Sequence, residues 1–367
     1  MVSLTLVLAM MPLVVPKLAL IDSHATHQTK ALFANLKKIS KSSILFGHQS
    51  ATEYGHGWSG DPDRSDVKSV VGSHPAVVGV DFNGIASPRD PEAALAQASR
   101  LRKVIVDQYD RGGAITVCCH LSNPVTGGNF NFKKGDGDTV KELLPGGSHH
   151  EQFKKILANI ADFAKSCRGK DGNLVPMIFR PWHEFDGDWF WWGRGHCTME
   201  EFTALYKMTV SELRDTNGVH NLVYAFSPDC KFESERDFLE RYPGDAWVDL
   251  VGFDDYADFG RDRYDLATGL KKLQIVSDYA KKHGKVAAFT ETGLESIPNP
   301  TWYTETLLKT LKTPGLELSY VLVWRNDQRS PTHYYAPFPG HSSVPDFQKF
   351  YDDPLTLFAK DLKSLYR

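Results

Sequence analysis

What this sequence lacks excludes several classes of protein. Its formal charges nearly cancel, 42 Lys and Arg against 45 Asp and Glu. It shows no basic patch or stripe, so nucleic acid is not an expected partner. Cysteine is scarce and odd in number: Cys118, Cys119, Cys167, Cys197 and Cys230. Five such residues without a C-x-x-C pair make neither a disulfide framework nor a structural zinc site. They read as mostly buried thiols, with one bridge left open if the chain is exported. The only long apolar run, Met1 to Val15, is interrupted by Pro16 and Lys17. It is the length of a secretory core, too short to span a bilayer, and it lacks a basic lead. A signal covering residues 1–21 and an apolar lead-in packed under the domain both remain open; the signal reading places the protein outside the cell, at its surface or in a periplasm. No later run is long enough for a membrane span. Linkers, low-complexity tracts and repeats are absent too, so residues 22–367 are read as one domain.

What is present is an alternation. Short apolar runs predict strands at Ile44–Phe46, Ala76–Phe82, Ala114–His120, Pro176–Arg180, Leu222–Phe226, Val248–Phe253, Val286–Thr290 and Tyr320–Trp324. Helical periodicity falls between them, at Glu151–Cys167, Glu200–Thr216, Leu266–His283 and Thr301–Lys312. Strands separated by helices pair in parallel, because a parallel neighbour needs a crossover. Eight such units match an α/β fold, the closed (β/α)8 barrel. An open doubly wound sheet would usually place a glycine-rich phosphate turn after its first strand. Here that position reads Gly47-His48-Gln49. Polar groups gather where a barrel keeps its active site, at the C-terminal strand ends: His48 and Gln49, Asp81 and Asn83, His120, His183 and Glu184, Asp254 and Tyr256, Glu291, then Trp324 and Arg325.

Two glutamates stand out in that set. Glycoside cleavage with retention needs two carboxyl groups about 5–5.5 Å apart. Glu184 ends the fourth strand in Phe179-Arg180-Pro181-Trp182-His183-Glu184, and Glu291 ends the seventh in Ala288-Phe289-Thr290-Glu291-Thr292-Gly293. A single glutamate in a loop is ordinarily a solvated carboxylate. Two at strand ends, each among aromatic and polar neighbours, read as a pair facing across a barrel mouth.

The stretch Arg180-Pro181-Trp182-His183-Glu184-Phe185-Asp186-Gly187-Asp188-Trp189-Phe190-Trp191-Trp192-Gly193 resembles the acid/base motif of glycoside hydrolase family 26. Further blocks resemble that family in its own order: Phe46-Gly47-His48-Gln49, Val80-Asp81-Phe82, His120-Leu121-Ser122-Asn123-Pro124, Gly252-Phe253-Asp254, Thr290-Glu291-Thr292-Gly293 and Val323-Trp324-Arg325-Asn326. The resemblance runs over roughly residues 22 to 365. It implies that Glu184 is the acid/base, that Glu291 is the nucleophile, and that Tyr256 hydrogen-bonds the nucleophile. His120 and His183 are then expected to line the site, and Trp189 and Trp324 to face sugar. Asp254 and Arg325 are expected as polar clamps at the reacting subsite, the alternative being an ion pair with each other. Trp191 and Trp192 could pack or stack. The sequence departs from the family at Cys119, where an aromatic is common, and a wider cleft floor is expected there.

The implied activity is that of a retaining endo-β-1,4-mannanase acting on mannan or galactomannan, as a monomer and with neither metal nor organic cofactor. Close alternatives are an exo-enzyme releasing mannobiose, or the same chemistry on mixed-linkage β-glucan or β-1,3-xylan. A non-catalytic carbohydrate-binding barrel would lack one of the two glutamates. A barrel acting on phosphorylated metabolites would carry a glycine-rich site after its last strands, which Glu291-Thr292-Gly293 and Trp324-Arg325-Asn326 do not provide.

Overall fold

The computed structural model describes residues 20–367 apart from Arg89. The candidate leader Met1–Val15 lies outside the described residues. Eight strands follow one another around a parallel barrel: β1 (Ile44–Gln49), β2 (Val77–Asp81), β3 (Ala114–Cys118), β4 (Met177–Arg180), β5 (Leu222–Phe226), β6 (Leu250–Asp254), β7 (Val286–Thr292) and β8 (Tyr320–Val323). The ring closes where β1 pairs β8 in parallel, Leu45 opposite Tyr320 through His48 opposite Val323. Thr356–Leu357 adds a short parallel stub beside the start of β1. Nearly every strand residue is buried, because helices cover the outside and side chains fill the inside. Such strands read as continuous Val, Ile, Leu and Phe runs, which is why all eight were legible.

The larger helices are α1 (His27–Ile39), α2 (Pro91–Asp110), α3 (His150–Ser166), α4 (Met199–Ser211), α5 (Leu266–His283) and α6 (Val344–Asp352). In α3, Phe153, Ile156, Leu157, Ile160, Ala161 and Ala164 are buried, a helical stripe facing the barrel. Each such large side chain contributes about 1.5–3 kcal/mol of transfer free energy. The start of α4 is fixed by Thr198 and Glu201, each side chain bonded to the other's backbone N–H, at 3.1 and 2.8 Å. The helix expected over Glu200–Thr216 closes in a π-turn at Glu212–Thr216, and that expected over Thr301–Lys312 is mainly π-helical at Tyr303–Leu308.

One irregularity in the barrel prepares the site. From Val321 to Val323, β8 advances two residues while its partner advances from Phe289 to Thr292. On the other side, Phe253 and Asp254 face Phe289 and Glu291. Both neighbours therefore see one extra residue in β7, a bulge at Thr290. Bulges bend a strand and re-aim the next side chain. Here that side chain is Glu291.

Candidate active site

A cleft of about 440 Å³ opens at the C-terminal strand ends, and Glu184, Glu291, His120, Trp189, Tyr256 and Trp324 are among its walls. Carboxylate oxygens of Glu184, Asp254 and Glu291 lie within 4.8 Å of one another. That proximity suits two carboxyl groups acting on one anomeric carbon with retention. Their surroundings differ sharply.

Both oxygens of Glu291 accept hydrogen bonds. Arg180 Nη2 donates to Oε1, and the Tyr256 hydroxyl donates to Oε2 at 2.9 Å. The same guanidinium donates through Nη1 to both oxygens of Asp254, at 3.0 and 3.2 Å, and to Ser227 Oγ at 2.8 Å. Thr290 completes the cluster, its hydroxyl donating to Asp254 at 2.6 Å. Arg180 is 1% exposed and closes β4, so the charge that neutralises this cluster is built into the barrel wall. A carboxylate held by a cation and a hydroxyl keeps its charge and its direction, as a nucleophile requires.

Glu184 receives one neutral donor, the Trp189 indole N–H at 2.9 Å from Oε2. Its pKa lies well above the ordinary carboxyl value. Burial is the largest cause, and the charges of Asp254, Glu291 and Asp229 add to it, while the Trp189 bond opposes. A carboxyl group whose surroundings favour its proton, beside one held by a cation, suits the division of labour between an acid and a nucleophile. The backbone bends to deliver it: Trp182 and Glu184 have φ of 58° and 55°, which costs about 1–3 kcal/mol at each non-glycine residue. Two bonds offset this cost, Trp182 Nε1 to Thr209 Oγ1 at 3.0 Å and Glu184 N–H to the Ser227 carbonyl at 3.0 Å.

The histidines form a chain along the cleft wall. His120 Nδ1 lies 2.6 Å from Asp81, and its Nε2 lies 3.2 Å from His183 Nε2. His120 Nδ1 faces the Asp81 carboxylate and is the nitrogen that donates to it. The remaining nitrogen, His183 Nδ1, has no partner among the described residues. Burial, with His120 and Arg180 nearby, holds His183 well below the ordinary imidazole value, so its ring is neutral at neutral pH. Trp324 stands edge-on to His120, ring centres 5.9 Å apart.

Several expectations need correcting. Asp254 is wholly buried and bonded to Arg180 and Thr290, so it supports Glu291 from behind and presents no surface to sugar. Arg325 does not pair with Asp254; its Nη1 donates to Asp327 at 2.7 Å. Trp191 and Trp192 are both core, their N–H groups donating to the carbonyls of Leu121 and His183. Cys119 does not widen the cleft floor. It lines a void of about 10 Å³ between the barrel and α3. All five cysteines are free. The sequence reading missed Arg180, whose signal was a charged residue at the end of a buried strand. It also missed Arg261, His333 and Tyr335, which reach the cleft from loops.

The glycosyl hydrolase family 26 model matches residues 21–328. Among curated proteins, a mannan endo-1,4-beta-mannosidase of Bifidobacterium adolescentis is 35% identical over 357 residues, 92% of this chain; the chain spans 35% of the length of that relative. Among solved structures, a GH26 beta-mannanase from Bacteroides ovatus is 43% identical with a TM-score of 0.87, covering 93% of this chain and 98% of its own. GH26C from Muricauda sp. MAR_2010_75 is 37% identical with a TM-score of 0.89, covering 95% and 96%. With the barrel, the two carboxyl groups and these matches in agreement, the chain belongs to glycosyl hydrolase family 26.

Proposed function

We propose that the chain cleaves internal β-1,4-mannosidic bonds of mannan and galactomannan with retention of configuration. The observation that carries this reading is the unequal pair: Glu184 with a single indole donor and surroundings that raise its pKa, Glu291 bonded by a cation and a hydroxyl, with oxygens within 4.8 Å. In the first step a Glu291 oxygen bonds to the anomeric carbon as the glycosidic C–O bond breaks, and the Glu184 proton passes to the departing oxygen. In the second, Glu184 takes a proton from water, the water oxygen bonds to the anomeric carbon, and Glu291 is released. Trp189, Trp324, His120 and His183 are assigned to sugar contact, Trp189 also holding the Glu184 carboxyl group. Asp254 supports Glu291 from behind, and Arg325, next to Trp324, keeps its assignment as a polar clamp. The mannan assignment draws on the names of the relatives.

The reading extends to a monomer exported from the cell. The apolar run Met1–Val15 and the polymeric nature of mannan support export. No helix among the described residues is long and apolar enough to cross a membrane.

Wild type, Glu184→Ala and Glu291→Ala, incubated with galactomannan and mannohexaose and resolved by chromatography, test the proposal. A spread of mannooligosaccharides from wild type is expected, falling by about 10²–10⁴-fold when the acid/base is removed. Mannobiose alone from the earliest time points would make the enzyme exo-acting. Activity confined to β-glucan or xylan would overturn the substrate, and full activity in either variant would overturn the pair.

A further inference from the structure

Asp186 belongs to the fourth-strand motif, yet the mechanism above gives it no task. Its side chain is 6% exposed and does not reach the cleft wall. Instead each carboxylate oxygen takes a different backbone N–H from the loop after β5: Oδ1 from Asp229 at 2.6 Å, Oδ2 from Lys231 at 3.1 Å. The other flank of that loop is tied to β6, where Asp254 N–H donates to the Pro228 carbonyl at 2.9 Å. From that anchored backbone the Lys231 side chain reaches the Trp189 ring, its ammonium 4.9 Å from the ring centre. Trp189 in turn donates to Glu184 Oε2 at 2.9 Å. Ser227, at the start of the same loop, accepts the Glu184 backbone N–H at 3.0 Å.

We infer that Asp186 is a positioning residue for the general acid/base, clipping the β5 loop so that Lys231 presses Trp189 onto the Glu184 carboxyl group and Ser227 holds its backbone. A carboxylate fits this task because it offers an acceptor on each of two oxygens; a carboxamide must turn its NH2 toward one of the N–H donors. Burial, with the Asp229 carboxylate beside it, pushes Asp186 up to about 7, against the pull of the two backbone donors. The group is therefore retained in an environment that opposes its charge, which a residue serving only as solvated loop surface would not require.

The inference rests on Glu184 being the acid/base, and leaving-group dependence separates the two ideas. A poor leaving group, the sugar hydroxyl of mannohexaose, needs a correctly aimed acid in the first step. The dinitrophenolate of 2,4-dinitrophenyl β-mannobioside does not. Because kcat/KM reports the steps through glycosylation, it isolates this need. Asp186→Asn is expected to lower kcat/KM on mannohexaose by about 10–100-fold, the effect of a misplaced catalytic group. On the dinitrophenyl substrate it should stay within about 3-fold of wild type. Lys231→Met, which leaves the clip intact and removes the cation over Trp189, should show the same split to a smaller degree. Glu184→Gln is the control. If it shows no split, Glu184 is not the acid, and the function itself is misread. If Glu184→Gln shows the split but Asp186→Asn lowers both substrates equally or neither, Asp186 is a purely structural tie and the inference fails.

Discussion

Removing Arg180 tests the idea that one buried guanidinium sets up the nucleophile. Arg180→Met keeps most of the aliphatic stem but deletes four contacts: two to Asp254 at 3.0 and 3.2 Å, one to Ser227 at 2.8 Å, and one to Glu291. Asp254 is 0% exposed, so water cannot replace its lost partner without the barrel opening, whereas Glu291 lines the cleft. Breaking a buried ion pair in this way costs about 3–5 kcal/mol. Thr290 still donates to Asp254 at 2.6 Å and Tyr256 to Glu291 at 2.9 Å, which argues for the lower half of that range. The penalty depends on pH with a definite sign. Asp254 lies well above the ordinary carboxyl value, chiefly through burial; Arg180 opposes that rise and the Glu291 charge adds to it. A carboxyl group raised in the folded state binds its proton more tightly there than in the unfolded chain. Its stabilising share is therefore fully present below the unfolded value of about 3.9 and is lost as pH climbs through the folded value. Deleting Arg180 removes the opposing influence, so the penalty should be largest at neutral pH and shrink on acidification. Urea unfolding across pH 4–8, followed by tryptophan fluorescence, measures this, and the double variant Arg180→Met with Asp254→Asn should recover much of the loss. A penalty under about 1 kcal/mol at pH 7, or one that does not change with pH, would refute the reasoning.

Two further predictions follow from neighbouring contacts. Trp189→Phe removes the N–H that favours the ionised form of Glu184, so the alkaline limb of kcat/KM should move to higher pH; a limb that stays or moves down would count against Glu184 as the titrating acid. Lys272→Met removes a buried ammonium 2.6 Å from Asp258 and 3.9 Å from Asp255, beneath the turn that carries Tyr256. Urea unfolding should show a loss of about 3 kcal/mol or more, with kcat reduced alongside, whereas wild-type stability would show that the turn does not depend on this lysine.

How far the sequence could be read depended on where each signal lay. Strand runs such as Val77-Val78-Gly79-Val80 are buried on both faces and declare themselves by composition. α3 and α5 carry strong apolar stripes and were located to within a residue or two. α1 and α2 went unread among the candidate elements. Yet α1 carries an apolar stripe of its own, with Leu32, Phe33 and Leu36 buried. The bulge at Thr290 leaves no trace in residue type. It exists only as a mismatch of register between β7 and both its neighbours. Asp254 was misplaced for a related reason: an aspartate at a strand end looks alike from the sequence whether it faces the cleft or the barrel wall, and only its bonds to Arg180 and Thr290 decide.

The roles of the two glutamates can also be reached by counting charges, without appeal to any relative. Glu184, Asp254 and Glu291 place oxygens within 4.8 Å of one another, and Arg180 is bonded to only two of the three. Three full negative charges against one positive, in a buried place, would repel at considerable cost, so a proton is retained. It settles where the charged form is least supported. Glu291 has a guanidinium and a phenol; Asp254 has the same guanidinium and a threonine hydroxyl. Glu184 has a single neutral indole N–H and faces the charges of the other two, with Asp229 nearby. This favours Glu184 as the group that keeps the proton on the proposed reading, at the wall of the cleft, where a departing glycosidic oxygen can receive it. On the proposed reading, Arg180, buried in the barrel wall, favours Glu184 as the acid by being bonded to the other two carboxyl groups.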